Sequence, residues 1–144
     1  MIAFFSEDIK KPKLRVKPIK EWIKTVILSY NNSCGDINII FCSDKYLLEM
    51  NKAYLNHDYF TDIITFNYNT EDRISGDIFI SLDTVKNNSI YFSQPFNNEL
   101  LRVIIHGILH LLGYDDKTEQ EQVLIHTKED EAIEIFHSKF SFDV

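Results

Sequence analysis

Two histidines, His106 and His110, stand four residues apart in the otherwise apolar run from Val103 to Leu112. Residues at i and i+4 lie one above the other on the same face of an α-helix, so the two imidazoles can close on one metal ion. Gly113 follows three residues after His110, and Asp116 three after that. Glycine adopts the left-handed conformation without steric cost, so it can end the helix and let the chain bring Asp116 back towards the histidines. Two nitrogens, one carboxylate oxygen and a position left for water form the ligand set of a catalytic zinc site, not of a closed structural one.

Taken alone, a His-x3-His pair also suits two core histidines satisfied by hydrogen bonds; its surroundings decide for a metal. The spacing His-x3-His-x2-Gly-x2-ligand is that of the metzincin zinc motif, with Gly107 where those proteases carry the glutamate base. A metal site is therefore expected and a zinc protease is not. Arg102 precedes His106 by four residues, so Arg102, His106 and His110 form one stripe. A guanidinium at that place can grip an anionic substrate bidentately, unless it forms a pair with Glu99 or another surface pair near the helix start.

The elements that position these groups can be read in order. Ile2 to Phe5 suggests a first strand, and Pro12 and Pro18 keep the following lysine-rich segment extended. From Pro18, Ile19, Trp22, Ile23, Val26 and Ile27 repeat with helical period until Asn31, Asn32 and Gly35 interrupt it. Ile37 to Phe41 reads as a second strand. Asp44 is the expected N-cap of a helix carrying Tyr46, Leu47, Leu48, Met50 and Tyr54. Asp62 to Tyr68 and Ile74 to Ser81 are strands joined by a polar turn, and Asp83 is the expected cap of a helix running towards Phe92. Asn97 or Asn98 is expected to cap the metal helix, which is apolar on nearly every side and therefore central. A last amphipathic helix, roughly Thr118 to Ser138, carries Val123, Leu124, Ile133, Ile135 and Phe136. The expected fold is one α+β domain over residues 1–144, a small mixed four-stranded sheet covered by helices, with the metal-binding helix central.

With 144 residues, 44% of them hydrophobic and 26% charged, the chain suits a single soluble domain. No apolar run approaches the roughly 20 residues that span a bilayer, and no basic segment precedes the apolar start, so neither membrane nor secretory signal is expected. Cys34 and Cys42 form no Cys-x-x-Cys pair and read as free thiols of a reducing cytosol. The net charge of −7 is unevenly spread. Seven of the fifteen basic residues lie between Lys10 and Lys24, and eight acids lie between Asp115 and Glu134. The basic segment could track a phosphate backbone, although Lys20 and Lys24 equally suit a solvated helix face.

His106-Gly107-Ile108-Leu109-His110-Leu111-Leu112-Gly113-Tyr114-Asp115-Asp116 resembles the signature of the YbeY endoribonucleases, His-Gly-x-Leu-His-Leu-x-Gly-Tyr-Asp-His, with aspartate in place of the last histidine. Leu55-Asn56, Thr61-Asp62-Ile63-Ile64-Thr65-Phe66 and Gly76-Asp77-Ile78-Phe79-Ile80-Ser81 extend the resemblance over most of the chain. The family's arginine after its Leu-Asn-x-x-Tyr run has no counterpart here, where Phe60 follows Tyr59, so Arg102 or Arg73 would have to replace it. The resemblance implies a metal-dependent, single-strand-specific endoribonuclease of the cytoplasm. It would hold one Zn2+, or another divalent metal, through His106, His110 and Asp116. Its partners would be ribosomal RNA and the ribosome or its small subunit, its role 16S rRNA 3′-end maturation and ribosome quality control. Arg102 is the candidate catalytic residue. Asp62 and Asp77 are candidate bases because they fall in the resembling segments, and His57 a candidate extra site residue. The alternative is a non-catalytic ribosome-assembly factor with a structural metal; another is a metallohydrolase with a different substrate.

Overall fold

Short runs rich in Ile and Phe build the sheet, and the longer 3.6-periodic runs between them build its cover. The computed structural model describes residues 1–55 and 61–140. In chain order these form β1 (Ile2–Ser6), α1 (Val16–Ser29), β2 (Ser33–Cys42), α2 (Asp44–Leu55), β3 (Ile63–Asn67), β4 (Arg73–Ser81), α3 (Leu82–Tyr91), α4 (Phe96–Leu111) and α5 (Glu119–Lys139). The strand order is β1-β2-β4-β3. β1, β2 and β4 are parallel, and β3 runs antiparallel to β4 because their short polar connection allows only a hairpin. The mixed four-stranded sheet and the single α+β layer arrangement match the expectation.

Side chains alternate across the strands. Ile37, Ile39 and Phe41 of β2, Ile78 and Ile80 of β4, and Ile63 of β3 join the main core with α1, α4 and α5. Ile64, Phe66 and Phe79 turn to the other face, where Leu47, Tyr46 and Met50 of α2 cover them. α4 crosses β3 and β4 so closely that a Cβ at Gly107 would lie 2.8 Å from Ile63 Cδ1 and 2.8 Å from Ile78 Cγ2. Gly107→Ala is therefore expected to cost about 1–3 kcal/mol by overpacking, read as a lowered Tm in thermal denaturation. An unchanged Tm would mean that the helix can lift from the sheet without loss.

The helix caps differ from the expectation, and neighbouring strands are the reason. Ser43 caps α2, its hydroxyl accepting from Tyr46 N at 3.1 Å, and Asp44 is the first helical residue. Ser81 caps α3, accepting from Thr84 N, while Asp83 lies in the first turn. Because β2 and β4 are neighbours, the two helix starts lie side by side. The Asp83 carboxylate accepts from Asp44 N at 3.0 Å, and the Asp44 carboxylate accepts from Ser81 Oγ and from Thr84 Oγ1. Each aspartate serves the other helix. α4 begins after Pro95, with Asn97 and Asn98 inside its first turn and no side-chain cap at Pro95.

The expected apolar residues of α5 divide: Phe136 is buried and Ile133 and Ile135 pack against the core, whereas Val123 and Leu124 are exposed and Ile125, Glu129 and Ala132 are buried instead. Trp22 of α1 sets this rotation: its indole N–H donates to Ala132 O at 2.7 Å, and its ring meets Phe136 edge-on at 5.2 Å. Cys34 and Cys42 are free, as expected, and burial pushes the Cys42 thiol up to about 12. Among the described residues no helix is long and apolar enough to cross a membrane.

Candidate metal centre

The end of α4 is built to turn the chain back. Gly113 has φ +105°, its N–H donates to His110 O at 3.0 Å, and Tyr114 N–H donates to Leu109 O at 3.0 Å. These two bonds are a Schellman motif, which satisfies carbonyls that a helix end leaves unpaired. The Asn69 side chain from the β3–β4 turn adds a third, donating to Leu111 O at 2.7 Å. On the other side of the turn, Thr118 and Glu121 form a capping box on α5, and the Gln122 side chain donates to Asp116 O at 3.1 Å. Asp116 is thus held between two anchored helix ends.

This brings the three expected ligands together. His106 Nε2 lies 2.9 Å from His110 Nε2 and 3.2 Å from Asp116 Oδ2, and His110 Nε2 lies 3.4 Å from the same oxygen. Four ligands placed tetrahedrally around zinc at about 2.0–2.1 Å are about 3.3–3.4 Å apart. The observed triangle departs from that edge by a few tenths of an ångström, so the donor set fits one small divalent ion, and these residues could hold a metal. The histidine side chains are 19% exposed and that of Asp116 is 40% exposed, which leaves the outer side of the triangle open to solvent.

A fourth group at the site was not legible as such. Glu129 of α5 places Oε2 2.5 Å from His106 Nδ1 and Oε1 2.9 Å from an Arg102 nitrogen, with a side chain only 6% exposed. The signal was available: with α5 seated on Ile125, Ala132 and Phe136, position 129 falls in the same seam, and a glutamate there is out of place unless it is paired. Arg102 also bridges the exposed Asp130 at 2.7 Å. Its guanidinium therefore lies one turn before the ligands, as the spacing predicts, but between two acids and not against Glu99. His126, with no histidine or acid at ligand spacing to the metal helix, is an exposed residue of α5 that lies 3.8 Å from both Glu129 and Asp130. His137 is exposed beside the Phe136 ring. His57 and the loop that lacks the arginine lie outside the described residues.

The two candidate aspartates part company. Asp77 shares the face of Phe79, away from α4, and accepts from the Asn38 side chain at 3.0 Å. It belongs to the sheet's other surface. Asp62 precedes β3 and is close enough to His106, Asp116 and Glu129 for their charges to interact; burial raises its carboxyl above the usual range, and the charge of His106 opposes that. Gly107 is equally decided by packing: a glutamate there would press into Ile63 and Ile78, so the metzincin base would overpack this face of α4.

Burial opposes the imidazolium of His106, but the hydrogen bond and charge of Glu129, followed by Asp62 and Asp116, outweigh it and raise the pKa. A raised histidine pKa contributes stability that is full below the unfolded value of about 6.5 and is lost as pH rises through the folded value. A metal at Nε2 needs that proton removed. Zinc affinity is therefore expected to climb with pH across the neutral range, with proton release on binding. Calorimetric titrations in two buffers of different ionisation enthalpy would measure the released protons; their absence would contradict the raised pKa.

The fold and site define an α+β domain whose His-x3-His stripe, on a buried helix, and a carboxylate returned by a glycine turn could hold a metal ion. Comparison with known proteins is specific beyond that: a family profile described as Endoribonuclease YbeY matches residues 4–137, and the chain belongs to this family. A protein of Parabacteroides distasonis named Endoribonuclease YbeY is 50% identical over 134 residues, covering 93% of this chain and 94% of that protein. One of Phocaeicola vulgatus with the same name is 51% identical, covering 92% and 96%. The solution structure of TM1509 from Thermotoga maritima aligns with a TM-score of 0.66 at 29% identity, covering 97% of this chain and 91% of that one.

Proposed function

We propose that this chain is a metal-dependent endoribonuclease that prefers single strands and acts on ribosomal RNA, in 16S rRNA 3′-end maturation and ribosome quality control. The convergence of His106 Nε2, His110 Nε2 and Asp116 Oδ2 within 3.4 Å carries the reading, and the endoribonuclease name of the relatives supports it. Zinc, or another divalent ion, is the group these residues would hold. When bound, it supplies Lewis acidity to a phosphate oxygen and lowers the pKa of water from about 15.7 towards 7.

The chain's own residues do the rest. Arg102 keeps one nitrogen on buried Glu129 and exchanges exposed Asp130 for the scissile phosphate, which places the other guanidinium nitrogen, a charged donor, one turn from the ligands. Asp62, which precedes β3 within reach of the charge of His106, is the candidate to accept a proton from the attacking hydroxyl. The basic residues Lys10, Lys11, Lys13, Arg15 and Lys17 are exposed and steer the backbone of a strand onto an otherwise acidic protein. The test is cleavage of a single-stranded ribosomal RNA fragment by metal-stripped protein, before and after zinc or manganese is restored. Cleavage only after restoration is expected; cleavage that survives rigorous stripping would overturn the metal dependence.

A further inference from the structure

A buried carboxylate that binds two functional groups at once is the feature of this molecule that the metal-ligand set does not use. Glu129 comes from α5, the helix that follows α4, 23 residues after His106, and is nearly enclosed. Replacing such a pair by apolar residues of the same shape is often neutral or stabilising, so packing alone gives no reason for a charge in the α5 seam. Its two oxygens are divided without overlap: Oε2 takes His106 Nδ1, and Oε1 takes Arg102.

We propose that Glu129 is a positioning residue that holds the metal-ligating nitrogen of His106 and the guanidinium of Arg102 in one frame. Oε2 accepts the Nδ1 proton, which leaves the Nε2 lone pair directed at the point shared with His110 and Asp116. Histidine ligands are commonly held this way, through the nitrogen that does not bind the ion. Without that acceptor the ring can carry its proton on Nε2 instead, or rotate away. Oε1 anchors the buried side of Arg102, so the exposed side alone exchanges partners. The frame is rigid because α5 is itself pinned by the Trp22 bond to Ala132 and by the Thr118 capping box.

This inference rests on the metal-centre reading, and its test is chosen so that the two fail separately. A glutamine at 129 has one acceptor oxygen where two donors require one each, and its amide group faces the loser. Metal-stripped wild type, Glu129→Gln and Asp130→Asn would be titrated with zinc against a chromophoric chelator. The same proteins would be examined by 15N NMR of the imidazoles at alkaline pH. Zinc affinity is expected to fall by about 10–100-fold in Glu129→Gln and to stay within about two-fold in Asp130→Asn, which removes the exposed carboxylate beside Arg102 and His126 and touches none of the three ligands. The NMR should show His106 protonated on Nδ1 in wild type and a mixture of tautomers in Glu129→Gln. Should that variant not fold, Glu129→Asp, too short to reach both groups, replaces it under the same expectations. Wild-type zinc affinity together with an unchanged tautomer would overturn the role. If wild type takes up neither zinc nor manganese, the metal-centre reading fails; the tautomer shift alone then upholds or overturns the positioning of His106.

Discussion

His110→Ala is expected to lose bound metal and RNA cleavage together. Its Nε2 supplies one of three converging donors, 2.9 Å from His106 Nε2 and 3.4 Å from Asp116 Oδ2. The pair that remains is one imidazole and a half-exposed carboxylate, too few to retain zinc against water. Cleavage should fall by about 10³-fold or more, the scale on which one member of a catalytic unit disables the whole. The fold should persist, because His110 lies on the exposed side of α4 and contributes little to the core formed by Ile104, Ile105, Ile108 and Leu111. Metal content by atomic emission, cleavage of a single-stranded RNA and Tm would be measured on one preparation. A structural metal in a non-catalytic assembly factor predicts the opposite pattern: no metal-dependent cleavage in wild type, and a large drop in Tm as the main effect.

Arg102→Ala should reduce cleavage by about 10–1000-fold, the loss expected for one charge contact made in the transition state, with zinc still bound at saturation. It should also destabilise the protein by about 1–3 kcal/mol, because Glu129 then keeps a buried oxygen without its donor; the 29% exposure of Arg102 keeps the cost below that of a fully enclosed pair. Arg102→Lys should retain the charge but lose the two-nitrogen fork, with an intermediate rate. Denaturant titration and steady-state cleavage by the three proteins separate the two effects. If Arg102→Ala cleaves at the wild-type rate, the phosphate is held elsewhere, with Arg73 or the Lys10–Lys24 segment the next candidates.

Much of the site was legible because its spacing is local. His106 and His110 had to share a face once their run was helical, and Gly113 had to end that run; its φ of +105° and the Schellman bonds agree. The Ile- and Phe-rich strands and the amphipathic α1 were equally local, and their order was right. The caps were misplaced where a side chain one residue away did the capping: Ser43 for Asp44, Ser81 for Asp83. Serine and aspartate cap almost equally well, and the choice was made by the adjacency of β2 and β4.

By itself, the sequence determined the ligand spacing, the glycine turn, the strand pattern and the family signature, since each depends on residues within a few turns of one another. The tertiary structure decided the rest. It turned Asp77 to the face of Phe79, because alternate strand residues face opposite sides of the sheet, and it left Asp62, which precedes β3, within reach of the charge of His106. It set Gly107 against Ile63 and Ile78, where a glutamate would overpack the seam between α4 and the sheet. It set Arg102 between Glu129 and Asp130, because Trp22 fixes how α5 is rotated against α1. These are contacts between segments distant in the chain, and no local periodicity encodes which face of one helix meets which face of another.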